Sequence, residues 1–97
     1  MQVANTILEQ LGGNRFLAMT GAKQLVGMDN GLMFGLPRGA KDGINKVRIT
    51  LTSEDLYTVE FFKIRGIDVR PIGECEMVYA DTLRATFEKS TGLRTSL

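Results

Sequence analysis

The chain has no histidine and no tryptophan, and only one cysteine and two prolines among its 97 residues. Without histidine the commonest general base and the commonest metal ligand are both missing, so a Ser/His or Cys/His nucleophile and a zinc site are hard to build. A single thiol, Cys75, cannot close an internal disulfide. With Met77 and Val78 close by, it reads as a small buried side chain in a reducing compartment, and a cytoplasmic setting is expected. No run of about 18 apolar residues occurs and no basic segment leads into a long apolar one at the start, so neither a membrane span nor a signal peptide is expected. Charge of one sign is not in excess either. Twelve Lys and Arg against eleven Asp and Glu leave a net charge of +1, which excludes a strongly basic nucleic-acid coat and confines any such role to a local patch.

What is present is the composition of a globular domain, 43% hydrophobic and 24% charged, at a length that suits one core spanning residues 1–97. In "VANTILEQLGG", Val3, Ile7, Leu8 and Leu11 fall at helical spacing and Gly12 and Gly13 can supply a left-handed stop, so the chain begins with an amphipathic helix. In "NRFLAMTGAKQLV", Asn14 suits the cap of a second helical turn ending at Gly21, while Phe16 and Ala18 suit a strand equally well. Asn30-Gly31 between two apolar runs predicts a hairpin that pairs residues 24–28 with 32–36, with positive φ at both turn positions.

Further on, Val47, Ile49 and Leu51 alternate with Lys46, Arg48 and Thr50, the pattern of a half-buried strand. Tyr57, Val59 and Phe61 share one face of the next strand and Phe62 and Ile64 the other; Pro71 and Gly73 place an edge and a bulge in the one after. Asp81 suits the cap of a last helix that carries Leu83 and Phe87 on one side and ends at Gly92, with Leu93 folding back and "RTSL" exposed. The expected architecture is α+β: an N-terminal helix, an antiparallel meander of four or five strands, and a C-terminal helix, the helices covering one face.

Two surfaces stand out as candidate sites. The stretch "LPRGAKDGINKVRITL" carries Arg38, Lys41, Lys46 and Arg48 among glycines that allow close approach, an arrangement that can meet phosphates. Asp42 in the same loop, and the use of Lys and Arg on exposed strands for solubility and edge protection, supply an ordinary explanation. Lys63, Arg65 and Arg70 gather around the Gly66 turn, which a meander places at the same end as that loop; the ordinary expectation is that Glu60, Asp68, Glu74 and Glu76 pair with them across strands. Met28 and Met33 flank the hairpin turn and would form a protein-binding surface if both were exposed, core filling being the alternative.

Tyr57, Phe61 and Phe62 are expected to be buried rather than to stack on bases, and no RNA-recognition sheet motif is present. The segments "GGN" and "TGAK" lack the spacing of a phosphate loop, and the acid pairs Glu54 and Asp55, or Glu74 and Glu76, fit a turn and a solvated face. No catalytic, cofactor-binding or metal-binding set is expected.

The segments "ILEQLGGNRFLAMTGAK", "NGLMFGLPRGAKDGINKVRITL" and "VYADTLRATFEKSTGLRTSL" together resemble a group of short proteins encoded in phages, prophages and related bacterial mobile elements. That group carries no established activity, so the resemblance transfers no residue roles; it implies an accessory viral role inside a bacterial host. The function expected is therefore a non-enzymatic accessory that binds a host or phage protein, perturbing a host factor or defence system. The alternative is a nucleic-acid-binding accessory that uses the basic loop at residues 38–48. A second copy of the chain is a further expected partner, because a short sheet with an uncovered edge can complete itself across a two-fold axis.

Overall fold

The alternating strands need one covered face, and the chain supplies three helical segments to cover it. The computed structural model describes residues 2–37 and 40–95. Helices α1 (Gln2–Leu11) and α2 (Asn14–Thr20) precede five strands, β1 (Lys23–Met28), β2 (Gly31–Gly35), β3 (Lys46–Leu51), β4 (Tyr57–Arg65) and β5 (Asp68–Val78), and helix α3 (Leu83–Thr91) follows. The strands form one antiparallel meander in the order β1-β2-β3-β4-β5. This is the expected α+β architecture, with residues 14–20 resolved as helix.

Leu32, Phe34, Val47, Ile49, Tyr57, Val59 and Phe61 point to the helix side and are buried with Ile7, Leu11, Phe16, Leu83 and Phe87. Phe16 sits edge-on to Phe34 and Phe87, with ring centroids 5.4 and 5.3 Å apart, so one aromatic cluster ties α2, β2 and α3 together. The two later helices end by the same local chemistry. Buried Thr20 and Thr91 each donate to the carbonyl four residues back, at 2.8 Å, and the following glycines, Gly21 and Gly92, take the left-handed conformation that stops each helix.

Four local expectations are corrected. The β1–β2 turn is Asp29-Asn30, not Asn30-Gly31, and neither Asn30 nor Gly31 has positive φ. Gly31 opens β2 because of space: a Cβ there would lie 2.3 Å from the Ile49 carbonyl oxygen. At the helix starts, Gly13 and Thr82 occupy the cap positions in place of Asn14 and Asp81, without a side-chain capping bond. Thr95 is buried rather than exposed, because its backbone N–H and hydroxyl both donate to the Glu88 carboxylate at 2.8 Å. Phe62 is half-buried on the helix-free face, unlike Tyr57 and Phe61, which lie in the core.

Both sheet edges are interrupted. Gln24 has φ 56° beside a register shift in β1, while β5 contains Pro71 and two register shifts, one of them where Gly73 was expected to mark a bulge. No helix among the described residues is long and apolar enough to cross a membrane.

Candidate functional site

A meander places alternate turns at the same end of the sheet, so the β2–β3 loop and the β4–β5 turn are neighbours. The loop is anchored there from both sides. Leu36 and Ile44 are buried. Asn45 acts as a substitute strand residue: its backbone N–H donates to the Phe62 carbonyl at 3.0 Å, its amide donates to the Ile64 carbonyl at 2.8 Å, and its side-chain oxygen accepts the Ile64 N–H at 2.8 Å. The Lys63 side chain lies over Gly43, where a Cβ would come within 3.2 Å of Lys63 Cδ and Cε. Loop and hairpin thus share one surface.

That end of the sheet collects Lys23, Lys41, Lys46, Lys63, Arg65 and Arg70, against Asp42 and Asp68. None of the six cations makes an ion pair among the described residues. The turns at the opposite end carry Asp29, Glu54 and Asp55 and no cation. A net charge near zero therefore conceals a sheet with a basic and an acidic end. Lys23 and Lys46 flank Gly35 in register and line, with the β2–β3 loop, a groove of about 480 Å³.

The β4–β5 hairpin carries the densest part of this charge. Its register pairs Lys63 with Arg70 and Arg65 with Asp68, all four lining one cleft, so two cations stand directly opposite each other. Like charges in that relation destabilise a sheet. The cross-strand neutralisation expected from Asp68, Glu74 and Glu76 does not form; among the described residues, Glu60 alone of these acids makes an ion pair, and it does so with Arg48.

The predicted basic set is therefore divided. Lys41 and Lys46 belong to the basic end, and Arg38 lies outside the described residues. Arg48 stands on the helix-free face, but its Nε and Nη2 donate to the two Glu60 oxygens at 2.8 and 3.0 Å and its guanidinium lies 5.4 Å from the Phe62 ring centroid. Glu60 raises the Arg48 pKa above its ordinary value, through this hydrogen bond first. Arg48 is thus occupied within the sheet. Met28 and Met33 are both half-buried on the same helix-free face, beside the more exposed Val26.

Sequence reasoning met Lys23 only within "TGAK", where the phosphate-loop spacing is lacking, and missed its place at this end, the anchoring role of Asn45, and the opposition of Lys63 and Arg70. The last was legible: a two-residue turn at Gly66-Ile67 fixes the register that puts residue 63 opposite 70. Cys75 is half-buried, its Sγ 4.0 Å from Ser90 Oγ. No group of three or more Cys, Asp and Glu side chains is arranged to hold a metal among the described residues. Comparison with known proteins finds no matching family profile, no matching curated protein and no matching solved structure.

Proposed function

We propose that this protein is a non-enzymatic binding module of a bacterial phage or mobile element, and that it holds the phosphate backbone of a nucleic acid at the basic end of its sheet. Composition alone favours a protein partner, because the net charge is only +1. The observation that carries the other reading is the placement of Lys63 opposite Arg70 with no acid pairing either. The stem of Lys63 packs over Gly43, but the opposition of its charge to that of Arg70 gives the fold nothing, whereas an anion lying between the two cations removes their repulsion and gains two charge-assisted contacts. Residues that violate a local rule without compensation inside the fold are where function is expected.

Lys41 from the loop and Arg65 from the hairpin extend the surface, and the phosphate contacts carry no sequence information. The test is oligonucleotide binding, followed by fluorescence anisotropy, for the native chain and for Lys63→Ser with Arg70→Ser. Salt-sensitive binding that the double substitution weakens supports the reading; unchanged affinity in the double variant contradicts it.

A second reading keeps the protein partner, on the helix-free face beside β1, where Val26 is 46% exposed next to Met28 and Met33. It predicts a discrete protein retained from host lysate after nuclease treatment and lost on Val26→Asp.

A further inference from the structure

The hairpin that bears the opposed cations also has an apolar tip and an apolar reverse side. Residues 65–71 are all exposed. Ile67, the second residue of the turn, is 100% exposed, and Gly66 before it has φ 61°, the backbone that a turn with glycine in first place requires. Lys63, Arg65 and Arg70 lie on one side of the ribbon with a single acid, Asp68, opposite Arg65. On the reverse side the register pairs Ile64 with Val69, which is 59% exposed, and Phe62 with Pro71. A fully exposed isoleucine at a hairpin apex contributes nothing to the core, and three cations beside it draw anions towards it.

We propose that the β4–β5 hairpin recognises unpaired nucleotides, with Lys63, Arg65 and Arg70 on the phosphates and Ile67 against the exposed face of a base. This rests on the nucleic-acid reading above and deepens it. In a duplex the base faces are already stacked, so Ile67 stays in water unless a step is opened at a cost in free energy. In a single strand those faces are free, and every base presents one, so apolar contact is tolerant of sequence. Adenine readout by a bidentate amide is not provided for: the turn, from Arg65 to Asp68, offers neither Asn nor Gln. Charge complementarity places phosphates on the cationic side of the same ribbon.

The experiment measures anisotropy with a labelled oligothymidylate of about 15 nucleotides, with a blunt duplex of the same length, and sedimentation with phosphatidylserine vesicles. The proteins are the native chain, Ile67→Ser and Lys63→Ser. Ile67 is wholly exposed, so its replacement leaves the fold intact, which circular dichroism verifies. The native chain is expected to bind the single strand at least about tenfold more tightly than the duplex, with Ile67→Ser reducing single-strand affinity about threefold to tenfold and leaving the duplex unchanged. Lys63→Ser weakens both. Equal affinity for the two nucleic acids, or an Ile67→Ser variant that binds single strands as well as the native chain, overturns the inference while leaving the phosphate reading in place. If the native chain binds neither oligonucleotide, the phosphate reading itself fails. Binding to the vesicles alone overturns both and reassigns the hairpin to an anionic lipid surface.

Discussion

Arg48 and Glu60 form a two-pronged ion pair across β3 and β4, and the guanidinium also covers Phe62, so the side chain is fixed by two groups at once. Single positions elsewhere are as tightly determined. A methyl group at Gly31 would fall on the Ile49 carbonyl, which is backbone and cannot swing aside. Gly31→Ala is expected to destabilise by about 2–3 kcal/mol, measured by urea unfolding; a loss below the usual overpacking cost of roughly 1 kcal/mol would contradict this account. At the other end of the chain, Glu88 accepts the Thr95 backbone N–H and then its hydroxyl, and these bonds hold the carboxyl below its ordinary pKa. A carboxylate whose folded pKa is lowered contributes stability that is present above its unfolded value of 4.5 and is lost as pH falls through the lower folded value. Glu88→Gln should therefore cost about 1 kcal/mol near neutral pH and nearly nothing in strong acid, as read from unfolding midpoints against pH. An equal loss at both extremes would assign the effect to packing.

Strands and helices were readable wherever one periodicity dominated. The half-buried pattern of β3 and the double-faced pattern of β4 needed only alternation, and the Thr-Gly endings of α2 and α3 needed only local chemistry. Residues 14–20 fit two patterns, and the tie is broken by tertiary packing: as a helix the segment places Phe16 between Phe34 and Phe87. The glycine of Asn30-Gly31 was legible as punctuation but not in its cause, because the obstacle is a carbonyl on a strand remote in sequence. The same limit applies to Arg48, whose partner lies twelve residues away across the ladder. At this scale the β4–β5 hairpin makes a prediction in which stability and binding move in opposite directions. Arg70→Thr removes a like-charge opposition on an exposed edge strand and supplies a better strand former, so the domain should gain from a few tenths to about 1 kcal/mol while its affinity for nucleic acid falls. Thermal melts and anisotropy on the same variant decide it. A variant that is less stable would show that Arg70 serves the fold.

For the whole molecule the feature that matters is the separation of charge between the two ends of the sheet, which a net value of +1 hides. The composition was a sound guide against a uniform coat and a poor guide to a local surface, because topology decides which turns are neighbours. Long-range attraction from such an end reaches about 8 Å at physiological ionic strength, so binding through it must depend steeply on salt. The most direct test is the slope of log K against log salt for a single-stranded oligonucleotide. Four phosphate contacts, from Lys41, Lys63, Arg65 and Arg70, predict a slope of roughly −3 for the native chain and about half that for Lys63→Ser with Arg70→Ser. A slope near zero, or one that the double substitution leaves unchanged, would contradict the assignment of this end to phosphate.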